Sequence, residues 1–186
     1  MDIDEILMTA EERMENALNA LQGAFASVRT GRANAKVLDR IKVDYYGALT
    51  PINQLAGVKT PDARLLVIEP WDKSSLKAIE KAIQESDLGV MPSNDGSVIR
   101  LPFPELTEER RRELVKQCKG YAEEARVSVR NARRDANAAL AKAEKASEIT
   151  EDDQRRGEAD VQKLTDNYIS KVESAFKAKE TEVMAV

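Results

Sequence analysis

Ile3, Leu7, Ala10, Met14, Ala17, Leu21, Ala24 and Val28 follow one another at alternating spacings of four and three residues. Spacings that average 3.5 place all eight on one side of a helix, so the pattern predicts a helix with a heptad seam. Leu18 and Phe25 widen the seam into the broader stripe of a helix packed in a bundle. The pattern stops at Arg29-Thr30-Gly31-Arg32, with Gly31 as the expected C-terminal breaker.

From residue 33 to residue 104 the period changes. Ile41-Lys42-Val43-Asp44-Tyr45 alternates as a half-buried strand does, and Tyr46-Gly47 and Thr50-Pro51 read as turns. Leu65-Leu66-Val67-Ile68 predicts a short buried strand. Asp72 can cap a helix with Leu76, Ile79 and Ile83 on one face, closed by Gly89. Asn94-Asp95-Gly96 predicts a turn ahead of a strand at Val98-Ile99-Arg100-Leu101. All six prolines of the chain fall in this stretch. The expected unit is small and α/β, with short strands around one helix.

Leu101-Pro102-Phe103-Pro104 is stiff and non-helical. Thr107 is then the expected N-cap of a second long helix. Arg110 stands where a capping box would have Glu, so only half of that motif is present, while Glu108 and Glu109 suit the positive end of the helix dipole. Val115, Cys118, Ala122, Ala125, Val129, Ala132, Ala136, Ala139, Ala143 and Ala146 form its seam. Some 40 residues make a rod of roughly 60 Å. Thr150-Glu151-Asp152-Asp153 opens a third helix, lined by Val161, Leu164, Tyr168, Ile169, Val172, Phe176 and Val183 with a small change of phase.

None of the three helices can bury its stripe alone, and packing them together is the simplest solution. The expected fold class is therefore α+β: a long three-helix bundle from residues 1–30 and 106–186, with an inserted α/β domain at 31–105. Two single-chain crossings, 29–32 and 102–107, would form a hinge whose residues are Arg29, Thr30, Gly31, Pro102, Pro104 and Thr107. A rigid α+β domain without independent motion is the other reading of the same pattern.

Composition removes many functions. The chain has no histidine, the commonest general base and metal ligand, and its one cysteine, Cys118, excludes an internal disulfide or a cysteine-cluster metal site. No nucleophile elbow, Walker loop or glycine-rich phosphate fingerprint occurs. No catalytic residue, cofactor or metal is expected. Asp152-Asp153 reads as capping rather than metal binding, and Cys118 lies on the apolar seam. No apolar run approaches the roughly 20 residues that cross a bilayer, and the acidic start, Met1-Asp2-Ile3-Asp4-Glu5, does not resemble a signal or transit peptide. A cytoplasmic protein is expected.

Net charge is −4, but charge is unevenly placed. Lys116, Lys119, Glu123, Arg126, Arg130 and Arg133 share one flank of the second long helix, with Arg134 beside it. Between Arg126 and Arg134 there are four arginines and no acid. Guanidinium forks at fixed spacing suit the phosphates of folded RNA. The same flank could instead pair with acids of a neighbouring helix, such as Glu158, Asp160 or Asp166, and spacing does not separate the two. A coiled-coil adaptor that pairs through its seams is the rival function.

Val28-Arg29-Thr30-Gly31-Arg32-Ala33, Val43-Asp44-Tyr45-Tyr46-Gly47 and Thr50-Pro51-Ile52-Asn53-Gln54-Leu55-Ala56 resemble ribosome recycling factors. So do Ser86-Asp87-Leu88-Gly89, Gly96-Ser97-Val98-Ile99-Arg100 and Pro104-Glu105-Leu106-Thr107-Glu108-Glu109-Arg110-Arg111. Ala125 through Asn137 and Asp160 through Asp166 extend the likeness, in order, along the whole chain. The resemblance implies an L-shaped, non-enzymatic, monomeric cytoplasmic protein that binds the 70S ribosome through large-subunit RNA. With elongation factor G and GTP it would promote dissociation into subunits and release of mRNA. By matching position, Arg133 and Arg130 would lead the RNA contacts, with Arg110, Arg134, Arg126, Arg29 and Arg32 as further candidates. The absence of an organelle-targeting extension favours the bacterial form.

Overall fold

A computed structural model describes residues 2–185. It divides into two compact units, Met1–Phe25 with Lys116–Glu180, and Ala26–Val115 with Thr181–Val186.

The first unit is built from three helices. They are α1 (Ile3–Ser27), α3 (Glu108–Lys145), whose first turns belong to the second unit, and α4 (Glu151–Met184), whose last turn does too. One ladder of contacts fixes their directions. Ile6 and Ala10 of α1 pack with Ala136 and Leu140 of α3 and Val161 of α4. Arg13 bonds Asp135 at 2.7 Å, and Tyr168 donates to Glu15 at 2.7 Å. Residue numbers rise together between α1 and α4 and oppositely between each of these and α3, so α3 runs antiparallel to both.

The buried stripe of α1 is Ile6, Ala10, Met14, Leu18, Leu21, Ala24 and Phe25, while Ile3, Leu7 and Ala17 are half-buried. The strict heptad put the latter three at the centre. A helix wedged between two neighbours buries a wider face, and a 3.6-residue period drifts across a 3.5-residue seam. On α3 the same drift makes Leu140 fully buried where Ala139 was expected, and Ala146 is exposed beyond the helix end. Alanines at 122, 125, 132, 136 and 143 keep the contact face small. Gly157 on α4 completes it: a Cβ there would lie 2.8 Å from Leu140 Cδ2.

Helix ends follow local chemistry. The Thr150 hydroxyl accepts from the Asp153 amide at 3.1 Å, while the Asp153 carboxylate accepts from the Thr150 amide at 3.2 Å. This reciprocal cap accounts for Asp153 as a capping acid. α3 stops with Ser147 in the left-handed region (φ 58), its amide donating to Glu144 and that of Glu148 to Ala143. That is the six-to-one, five-to-two closure usually given to glycine.

In the second unit, β1 (Lys42–Tyr45) and β2 (Ala48–Pro51) form a hairpin, with Tyr45 opposite Ala48. Tyr46 (φ 50) and Gly47 (φ 84) both take the positive angles of a two-residue primed turn. Thr50-Pro51, expected as a turn, is therefore strand. The tight hairpin returns the chain alongside β1, and Pro51 sits at the strand end, where its missing N–H costs no ladder bond. β3 (Ala56–Asp62), β4 (Leu65–Pro70), β5 (Ser93–Asn94) and β6 (Ile99–Pro102) form an antiparallel sheet in the order β3-β4-β6-β5. β3 carries no strand alternation in its sequence, because only its first three residues are buried or half-buried and Pro61 lies where its register with β4 shifts. Asp72 caps a short 3-10 turn, Lys73–Ser75, which leads into α2 (Leu76–Glu85). Gly89 (φ 73) lies beyond the end of α2, which closes at Ser86. Leu76, Ile79 and Ile83 pack with Val43, Leu66, Ile68, Ile99, Leu101 and Phe103 in one core.

Candidate nucleic-acid interface

The arginines of α3 differ in how far their charge is already used. Arg126 is the most engaged: its Nε donates to Glu173 of α4 at 2.5 Å and its Nη1 to Glu123 at 2.8 Å, and its side chain is 19% exposed. The Glu173 hydrogen bond raises its pKa, against the opposing effect of partial burial. Arg130 reaches Glu123 at 3.6 Å and is 51% exposed. Arg134 is 74% exposed, and its nearest carboxylate, Asp135 at 3.9 Å, is itself bonded to Arg13. Arg133 donates to the Gln162 amide oxygen at 3.5 Å and has no carboxylate within ion-pair distance among the described residues. Lys116 and Lys119 are exposed on the same helix.

The flank is thus partly paired and partly free. The pairing acids are Glu173 and Glu123 rather than Glu158, Asp160 or Asp166. With the α3–α4 turn at residues 146–150, antiparallel packing sets residue 126 against 173 and residue 133 against 162. Glu173 lies farther from the turn than any of those three acids. Gln162 also donates to Asp166 at 2.8 Å, which orients its oxygen towards Arg133.

The other candidates belong to the second unit. Arg29 is 6% exposed; its Nη2 donates to the Pro104 carbonyl at 2.7 Å and its guanidinium lies 5.3 Å from the centre of the Phe103 ring. Burial, and then the nearby Arg110, lower its pKa. It ties segment 29–32 to segment 102–107 instead of presenting charge to solvent. Arg32 is exposed, while Thr30 is buried and accepts from the Arg32 amide at 3.3 Å. Arg110 pairs with Glu113 at 2.9 Å. Gly31 has neither a positive φ nor any atom that a Cβ would crowd, and α1 ends before it at Ser27, so it is not the breaker expected. Thr107 caps α3, accepting from the Arg110 amide at 3.1 Å.

Sequence reasoning missed Arg111. It is buried, and its guanidinium donates to the Leu106 carbonyl at 3.4 Å, to Val183 at 2.8 Å and to Ala185. It thereby satisfies carbonyls that the end of α4 leaves without helical partners. Cys118 is fully buried on the seam, as its position suggested.

A sequence profile described as Ribosome recycling factor matches residues 21–184. The ribosome-recycling factor of Bacillus cereus (strain AH187) is 60% identical over 182 residues, covering 98% of each chain. That of Nitratidesulfovibrio vulgaris (strain DP4) is 54% identical over the full length of both. The chain belongs to the ribosome recycling factor family.

Solved structures of ribosome recycling factors share the fold. One determined in solution superposes with a TM-score of 0.77 at 42% identity, covering 100% of this chain and 99% of the other. A second contains the T. thermophilus ribosome recycling factor and E. coli elongation factor G bound to the E. coli post-termination complex. Its TM-score is 0.67 at 45% identity, with both chains fully covered. The α+β class, with a long helical part and a small sheet domain, is therefore that of the family. The adaptor reading has no comparable support. Among the described residues no helix is long and apolar enough to cross a membrane.

Proposed function

We propose that this chain recycles ribosomes: a non-enzymatic cytoplasmic monomer that binds the post-termination 70S ribosome and, with elongation factor G and GTP, promotes its separation into subunits and the release of mRNA. The observation that carries this is the 54–60% identity, over 98–100% of the chain, to ribosome-recycling factors of two bacteria. The ribosome-bound relative supplies the partners.

In this reading α3 docks on large-subunit RNA. Arg133 and Arg130 lead, because their guanidinium groups meet little or no carboxylate competition. Arg134, Arg32 and Arg110 add outlying charge. Arg126 and Arg29, the most engaged of the candidates, act chiefly by holding neighbouring structure in place. Charge-assisted contacts to phosphate anchor the protein, and each neutralised phosphate steepens the salt dependence of binding. Residues 31–105 act as the inserted domain that meets the GTPase, turning about 29–32 and 102–107 relative to the bundle at 1–30 and 106–186. Nucleotide hydrolysis belongs to elongation factor G.

The test is incubation of post-termination ribosomes with this protein, elongation factor G and GTP, scored by subunit release. Release must require all three. Release that proceeds equally without this protein would overturn the proposal.

A further inference from the structure

Glu123 is the one acid among the six flank positions that carry Arg126, Arg130 and Arg133. Its two carboxylate oxygens are divided between two arginines: Oε2 lies 2.8 Å from Arg126 Nη1, and Oε1 lies 3.6 Å from Arg130 Nη1. Arg126 does not depend on it, because Glu173 already holds that guanidinium at 2.5 Å. The distinct effect of Glu123 is therefore on Arg130. A carboxylate between two guanidinium groups has the charge and acceptor geometry of a backbone phosphate.

We propose that Glu123 is a built-in competitor for the phosphate that Arg130 would take. It occupies the Arg130 guanidinium in the free protein and yields it on docking, which lowers affinity for RNA backbone in general and favours surfaces that engage Arg133 at the same time. This rests on the RNA-binding reading of the flank. The long Arg130 contact, between side chains that are each half exposed or more, makes the competition weak and reversible, as a factor that must leave its target requires.

The experiment measures binding of the full-length protein to purified large ribosomal subunits by fluorescence titration across a salt series. Glu123→Gln should tighten binding about two- to fivefold, the range that an exposed pair of this kind allows. Glu124→Gln removes the same charge one residue away and has no part in the flank, so it measures the general electrostatic effect. The excess of Glu123→Gln over Glu124→Gln should vanish in an Arg130→Ala background, since the competitor then has nothing to release. Equal effects of the two glutamine variants, or an excess that survives Arg130→Ala, would overturn the proposal while leaving the docking surface intact. Arg133→Ala is measured alongside. If it too leaves affinity unchanged, the RNA reading of the flank falls and the competitor role falls with it.

Discussion

Gly157 offers the sharpest check on how α3 and α4 pack. In an open helix interior, Gly→Ala stabilises by about 1 kcal/mol through backbone entropy. At position 157 the new methyl would stand 2.8 Å from Leu140 Cδ2 and 3.0 Å from Cδ1, and Leu140 has no exposed surface. The leucine cannot swing into solvent, and its neighbours Ile6, Ala10, Ala136 and Val161 are themselves buried. Overpacking of this kind costs about 1–3 kcal/mol, so Gly157→Ala should be destabilising by about 1 kcal/mol net. Gly23 and Gly120 are exposed helical positions with nothing within 4 Å of a built Cβ, and alanine there should raise stability by the full propensity gain. Leu140→Ala should cost about 2–5 kcal/mol alone, and in that background Gly157→Ala should change sign and become stabilising. Urea unfolding followed by far-UV circular dichroism reads all five variants, provided the slope with denaturant is unchanged. The packing argument is refuted if Gly157→Ala stabilises the parent chain as much as Gly120→Ala does, or if the two substitutions are additive.

Arg133→Ala should weaken large-subunit binding by about 1–3 kcal/mol without shifting the unfolding midpoint. Arg126→Ala should lower stability by up to about 1 kcal/mol, because it removes the bridge that this largely buried guanidinium makes to the half-exposed Glu173 and Glu123, and urea titration separates the two cases. The Glu15 hydrogen bond and burial push Tyr168 up to about 12. Its contribution to stability is therefore complete below the ordinary tyrosine value near 10 and is lost as pH rises towards 12, and Tyr168→Phe should flatten unfolding free energy measured across that window. Ser147→Gly should stabilise by about 1 kcal/mol, since glycine takes the left-handed closure of α3 without strain, and a lower unfolding midpoint would count against that closure.

Periodicity exposed the three helices because each has to bury a continuous stripe, and their ends were legible where a single side chain does the capping, as at Thr107 and Thr150. The strand β2 was hidden because Thr50-Pro51 has turn composition, and only the Tyr46-Gly47 hairpin makes it strand. The centre of each stripe shifted for a related reason. A heptad records one contact line, whereas each helix here touches two neighbours, so Ile6 and Leu140 moved inward and Ile3 and Ala139 outward.

The arginines show where reading a single chain stops. Arg29, Arg126 and Arg133 have the same pattern in sequence, each a basic residue at or beside an apolar seam. What separates them is long-range: Arg29 lies against a carbonyl 75 residues away, Arg126 against a carboxylate 47 residues away, and Arg133 against a neutral amide 29 residues away. A guanidinium opposite a carboxylate is drawn into intramolecular pairing, while one opposite an amide makes a neutral contact and keeps its full charge available. The register of the α3–α4 hairpin, which sets residue 133 against Gln162 and residue 126 against Glu173, therefore decides which arginine is paired within the bundle and which keeps its charge for the proposed RNA contact. A one-turn slip of α4 would reassign those roles without changing a single residue of α3.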